Sequence, residues 1–150
     1  MIRKAVIADV PHILKLVNDH AREGKLLPRS FNYIYRNIRD FAVIEEDGKI
    51  VGCGSLHVLW SDLTEIRSVV VGSEQLEKGC GQDLVQFLLE ESCQLGIMHV
   101  YVLTNDRNFF RRMGFALVEK DDLPRKIWVE CADCVRFAEC DEVAMDIKVK

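Results

Sequence analysis

The sequence predicts an α/β (α+β) fold: a central mixed, mostly antiparallel twisted sheet of six to seven strands flanked by about four helices. Three observations predict it. Asp47-Gly48 separates two apolar runs, residues 41–46 and 49–60, and an Asp-Gly pair in that setting is a strong hairpin signal. A strand over 63–71 passes through a glycine-bearing turn into an amphipathic helix and then a buried-type strand over 98–103, an order that makes a parallel pair with a right-handed crossover. Both ends of the chain, 2–6 and 143–149, alternate apolar and polar residues as half-buried strands do.

The elements follow in order. After the first strand, Asp9 reads as a helix N-cap with Pro11 in the first turn. Val10, Ile13, Leu14, Val17 and Ala21 recur at helical spacing, and Gly24 closes the helix. Residues 25–30 are irregular. Ser30 then caps a second helix with Phe31, Ile34, Tyr35 and Ile38 on its inner face. Ser61-Asp62 is a second tight turn, so the strands 41–46, 49–60 and 63–71 form an antiparallel meander. The central helix spans about 80–95, with Leu84, Val85, Leu88 and Leu89 as its buried stripe and Gly96 as its C-cap. A short helix over 108–113 ends at Gly114, and 115–119 is a further strand. Residues 121–141 are poorly patterned. With no repeat, low-complexity tract or linker, residues 1–150 read as a single domain.

Composition excludes several function classes. Hydrophobic residues make up 49% of the chain, enough for a real core. A net charge of −4 argues against nucleic acid as the main partner, and scattered Lys and Arg argue against an anionic membrane. No apolar run approaches a membrane span. The N-terminus lacks the long apolar stretch of a secretory signal, so the expected location is cytoplasmic. The six cysteines are then expected as reduced thiols or metal ligands.

The chemistry concentrates at the strand–turn–helix connection. A glycine turn entering a helix at Gly79-Cys80-Gly81-Gln82 gathers backbone N–H groups at one place and adds the positive end of the helix dipole. That is a pocket for an anion, most often phosphate; the plainer reading is a connection that needed glycines.

The element order, the stretch Asp47-Gly48-Lys49-Ile50-Val51-Gly52, the strand 65–71 with its turn, and Phe109-Phe110-Arg111-Arg112-Met113-Gly114-Phe115 together resemble the GNAT superfamily of acyl-CoA N-acyltransferases. More narrowly, Leu26-Leu27-Pro28-Arg29-Ser30, Val51-Gly52-Cys53-Gly54-Ser55-Leu56-His57, Glu65-Ile66-Arg67-Ser68-Val69 and Leu123-Pro124-Arg125-Lys126-Ile127-Trp128 are similar to the short bacterial N-acetylglutamate synthases. The resemblance implies transfer of acetyl from acetyl-CoA to the α-amine of an amino acid, most simply L-glutamate, as the first step of arginine synthesis; a GNAT enzyme for another amino acid or small amine, and a non-catalytic acyl-CoA-binding module with an eroded phosphate loop, stay open beside it. It implies a cofactor half made by Val69, Val70 and Val71, by the loop Leu76, Glu77, Lys78, Gly79, Cys80, Gly81 and Gln82, and by Asn105 and Phe110. Asn108 has a plainer reading as a helix cap.

Two positions depart from the superfamily pattern. Leu76 stands where Gln or Arg is usual, with Gln75 one place off register, and Glu77 adds a carboxylate beside the phosphate site. With the backbone donors of Lys78, Cys80, Gly81 and Gln82 intact, weakened rather than abolished CoA binding is expected. Phe110 stands where many members carry a Tyr that protonates the leaving thiolate.

Amide formation from a thioester needs a deprotonated amine, a stabilised oxyanion and two reactants held together. Glu65 is the first choice of general base, directly or through water, against a plainer reading as a solvated strand-end carboxylate paired with Arg67. His57 is the alternative base, since histidine side chains titrate near neutrality; most strand histidines are simply hydrogen-bonded. A dicarboxylate acceptor asks for cations: Arg29 and Arg67, with Ser30 and Lys126 behind them. Cys53 either lines the acceptor pocket or is a small buried residue. Cys131, Cys134 and Cys140 have spacing that suits zinc but lack an evident fourth ligand; a redox pair and plain loop packing stay open beside it. Cys80 and Cys93 read as buried small residues. The expected partner is a small amino-acid substrate, with a homodimer as one arrangement the sequence leaves open.

Overall fold

The computed structural model describes residues 1–22, 29–119 and 143–149. Seven strands form one sheet in the order β1-β2-β3-β4-β5-β7-β6: β1 (Ile2–Lys4), β2 (Phe41–Glu46), β3 (Lys49–Trp60), β4 (Leu63–Val71), β5 (His99–Thr104), β6 (Ala116–Val118) and β7 (Val143–Lys148). Among the described residues only β4 and β5 pair in parallel; every other neighbour is antiparallel. The expected hairpins and crossover are present. Asp47 and Gly48 both take positive φ, +52° and +77°, as a tight two-residue turn demands.

The helices are α1 (Val10–Arg22), α2 (Phe31–Arg36), α3 (Ser73–Glu77), α4 (Cys80–Gln94) and α5 (Arg107–Arg112). They divide the core in two. On one face of the sheet, α4 buries Leu84, Val85, Leu88 and Leu89 against Ile44, Leu56, Ile66, Val71, Val100 and Val102. On the other, Val10, Ile13 and Val17 of α1 and Ile34 of α2 pack on Phe41, Val43, Cys53 and Val70. Each such fully buried aliphatic side chain contributes about 1.5–3 kcal/mol through removal from water.

Several local expectations are corrected. Asp9 is not a simple cap. It ends a 3-10 turn (Ile7–Asp9), accepts the Val6 N–H at 2.8 Å, and takes Arg3 in a two-pronged ion pair at 2.8 and 3.1 Å. Phe31 and Tyr35 are half-exposed and stack on one another at 6.3 Å, because the second helix is too short to present more than Ile34 inward; Ile38 falls in a following 3-10 turn. The glycine turn contains α3, a five-residue helix the glycines hid. Asp106, not Asn108, caps α5 by accepting the Phe109 N–H at 3.2 Å. Cys80 and Cys93 are half-buried rather than buried. Gly24 lies outside the described residues.

The Arg3–Asp9 pair joins β1 to the start of α1, and Arg3 also reaches Glu45 at 2.9 Å. The guanidinium holds the Asp9 carboxyl below the usual carboxylate range. A depressed native pKa adds stability above the unfolded value and loses it as pH falls. Asp9→Asn should therefore cost about 1–3 kcal/mol at pH 7 in urea melts, with the gap to the parent closing as pH drops below about 4.

Candidate active site

The site begins with a mismatch in strand register. Cys53 pairs with Val70 and Ser55 with Arg67, so two steps along β3 match three along β4. The extra residue is Ser68, whose φ of +55° is the left-handed conformation seen in one class of β-bulge. The bulge reverses the alternation of side chains. Ile66 and Val71, five positions apart, share the α4 face, while Val70 joins Cys53 on the α1 face. It also bends β4 away from β5, whose pairing stops at Ile66–Val102. The two strands diverge beyond that point and open a cleft of about 360 Å³.

The cleft is walled mainly by Val69 and Val71 of β4, Val102 and Leu103 of β5, and Phe109 and Phe110 of α5. Leu76, Gly81 and Asn105 also line it, as the sequence suggests, whereas Val70 turns its side chain to the other face. Sequence reasoning missed Ser68, Thr104, Phe109 and His20 at its walls. Phe109 and Phe110 sit edge-on at 5.0 Å, and Phe110 and Phe115 at 5.2 Å, so Phe110 is both a core ring and a cleft wall.

At one end the cleft meets the N-terminus of α4. Gly79 takes φ +82°, which sets the turn. The first bond of the helix runs from Asp83 N–H to the Gly79 carbonyl, leaving the N–H groups of Cys80, Gly81 and Gln82 without an intrahelical acceptor. Lys78 is corrected: its N–H donates to the Gln75 carbonyl at 3.2 Å and is not available. Gln75 is buried and donates to Glu46 at 3.1 Å, so it does not substitute for the missing polar partner. Leu76 instead lies against Gly81, where a Cβ would come within 2.9 Å of its Cδ2 and 3.3 Å of the Phe109 ring. Glu77 and Lys78 are exposed outside the cleft lining.

At the inner end lies a polar cluster on the α1 face. Arg67 lines the cleft and donates through Nε to Glu65, with both side chains largely buried. Glu65 is thus a buried, paired carboxylate rather than a solvated strand end. In register beside it, His57 has both ring nitrogens engaged, Nε2 with Ser55 Oγ at 2.9 Å and Nδ1 with Asp40 at 3.3 Å. The Ser55 hydroxyl that meets His57 Nε2 also reaches the Arg67 carbonyl at 3.0 Å, so it ties the two neighbouring strands together.

Arg29 is clamped by α1: Asn18 donates to its carbonyl at 3.2 Å and accepts its N–H at 3.0 Å. Its guanidinium stacks 4.3 Å above the Tyr33 ring, and Tyr33 stands 6.4 Å from the His57 ring. Ser30 caps α2 by accepting the Tyr33 N–H at 3.0 Å. Asn18 and Tyr33 were missed; a single Asn on a helix and a Tyr on an amphipathic turn carry no motif. Lys126, Cys131, Cys134 and Cys140 lie outside the described residues. Among those described, no group of three His, Cys, Asp or Glu side chains is arranged to hold a metal, and no helix is long and apolar enough to cross a membrane.

Cys53 is fully buried, and its thiol donates to the Ser68 carbonyl at 3.6 Å, pinning the bulge. Burial pushes the thiol up to about 12. Buried and held protonated, Cys53 should resist iodoacetamide in the native protein at pH 8 while the half-buried Cys80 and Cys93 alkylate. Peptide mass mapping checks this; equal labelling of Cys53 contradicts it.

Comparison with known proteins agrees with this geometry. The model of the Acetyltransferase (GNAT) family matches residues 10–115. An uncharacterized N-acetyltransferase of Chlorobaculum tepidum is 38% identical over 96% of this chain and 93% of its own. The amino-acid acetyltransferase of Mycobacterium tuberculosis is 40% identical over 87% of this chain and 76% of its own. N-acetylglutamate synthase from Neisseria gonorrhoeae, crystallised with coenzyme A and N-acetyl-glutamate, superposes with a TM-score of 0.89 at 27% identity, over 100% of this chain and 35% of that one. A splayed β4–β5 cleft ending on a helix N-terminus, together with a family match over most of its length, makes this chain a member of the GNAT acetyltransferase family.

Proposed function

We propose that the protein transfers acetyl from acetyl-CoA to the α-amine of an amino acid, with L-glutamate as the acceptor and arginine synthesis as its setting. One observation carries this reading: Arg67 both lines the cleft and pairs with Glu65, so the cleft's inner end opens onto the polar α1 face where an acceptor amine would sit. The relatives named as amino-acid acetyltransferases and the synthase bound to N-acetyl-glutamate support the choice of acceptor.

In this reading the pantetheine arm lies along β4 past the bulge, and the pyrophosphate meets the N–H groups of Cys80, Gly81 and Gln82. The acceptor nitrogen attacks the thioester carbonyl, a C–N bond forms and the C–S bond breaks. Glu65 takes the amine proton, directly or through a water, and Arg67 fixes its carboxylate in place. His57 orients the adjoining strand through Ser55 rather than accepting the proton, because both its nitrogens are engaged. Phe110 offers no proton to the departing thiolate, which takes one from solvent or another donor. Leu76 leaves the phosphate loop with backbone donors alone, so a raised KM for acetyl-CoA accompanies the activity.

A panel of amino acids assayed for acetyl-CoA-dependent release of free thiol tests the proposal. Glutamate should be turned over fastest. Glu65→Gln should lower kcat by about a hundredfold or more while calorimetry finds acetyl-CoA binding intact. Thiol release with no amino acid in the panel, or unchanged kcat in Glu65→Gln, contradicts it.

A further inference from the structure

The cleft draws its walls from both faces of the sheet. Most belong to β4, β5 and α5, but α1 reaches it too, and among the described residues of that helix His20 alone lines it. His20 sits half-buried in the last turn of α1. Because α1 packs on the face that carries Cys53 and Val70, a cleft wall from α1 marks the point where the apolar channel meets the polar side of the sheet. Arg67 and the bulge residue Ser68 line the same opening. The thioester would be cleaved at this junction, since the cofactor comes from one side and the acceptor from the other.

Cleavage leaves an electron pair on sulfur. An ordinary thiol ionises at about pH 8.5, so near neutrality the departing thiolate is a base that calls for a proton. Acid strength decides which wall can supply it. The rings of Phe109 and Phe110 have none to give. Arg67 keeps its protons at every working pH and is paired with Glu65. Asp106 acts as an acceptor, taking the Phe109 N–H at 3.2 Å. The hydroxyls of Ser68 and Thr104 are weaker acids than a thiol, and Thr104 already accepts the Asp106 N–H at 2.9 Å. A histidine titrates near neutrality, so its imidazolium is a stronger acid than the thiol and gives up a proton in the working range. The charged groups around His20 have partners of their own: Asp19 with Lys15 and Arg22 on the same helix, Arg67 with Glu65 on β4, and Arg29 stacked on Tyr33 of α2.

We propose that His20 is a further catalytic residue, the acid that protonates the thiolate as the C–S bond breaks. The acceptor nitrogen forms its bond to the acetyl carbon and yields a proton to Glu65. The C–S electron pair goes to sulfur, sulfur takes a proton from the His20 imidazolium, and the neutral imidazole is reprotonated from solvent. This step rests on acetyl transfer from CoA in the proposed function and is indifferent to which amine is the acceptor.

The test uses whichever amine the parent acetylates fastest. His20→Gln should lower kcat tenfold or more, leave KM for acetyl-CoA and for the amine within twofold, and leave Tm unchanged. An acid must carry its proton to act, so the parent's kcat should fall as pH rises through the titration of this group, and His20→Gln should lack that alkaline limb. Added imidazole should restore turnover to His20→Ala. An alkaline limb that survives in His20→Gln, a changed KM with kcat unmoved, or a lowered Tm without imidazole rescue overturns the proposal. Should the parent acetylate no amine, the proposed function fails separately, and His20 is then read without turnover by NMR. CoA should displace the His20 ring resonances further than desulfo-CoA does; equal displacement by the two overturns the proposal.

Discussion

The structure depends on one constraint at β4. This strand must pair with β3 along nearly its whole length and with β5 over only three residues. An ordinary strand cannot do both, because its two edges repeat together. One extra residue, Ser68, resolves the conflict. Its left-handed φ costs about 1–3 kcal/mol for a residue with a Cβ, and the Cys53 thiol bonded to its carbonyl helps hold it. In return the sheet splays, a cleft opens without breaking the β3–β4 ladder, and the side chains beyond the bulge change faces.

That change of face separates the two halves of the site. Before the bulge, Glu65 and Arg67 point to the α1 face beside His57 and Ser55; beyond it, Val69 and Val71 line the cleft on the α4 side. The arrangement lets an apolar channel for a long cofactor end on a polar patch within two or three residues of one strand. Most charges in that patch are satisfied internally, which keeps the cluster rigid. At the other end, the N–H groups of Cys80, Gly81 and Gln82 open α4 without an intrahelical acceptor.

Much of the fold was legible because its signals are local. Asp47-Gly48 needs positive φ and reads as a hairpin. Gly96 ends α4 with φ +85°, and the stripe of Leu84, Val85, Leu88 and Leu89 is buried as its spacing demands. The bulge was invisible because Val69, Val70 and Val71 are all apolar, so a slip of one residue leaves the pattern unchanged. The helix α3 was hidden between glycines that read as a turn. The face of α2 was misread because Phe31 and Tyr35 carry large rings that suit a core, yet six residues bury only one side. For the candidate site, Glu65, Arg67, Arg29 and the Gly79–Gln82 turn were picked out by motif and resemblance. Asn18 and Tyr33 act through tertiary proximity alone, and no spacing announces that.

In the proposed function the cofactor occupies the edge of β4 that the bulge frees and the first turn of α4. Amide hydrogen exchange with and without acetyl-CoA tests it most directly. New protection is expected at Val69–Val71 and at Cys80, Gly81 and Gln82 alone, with the β2–β3 hairpin unchanged. Saturating acetyl-CoA that leaves those amides exchanging as before, or that protects a different surface instead, would contradict it.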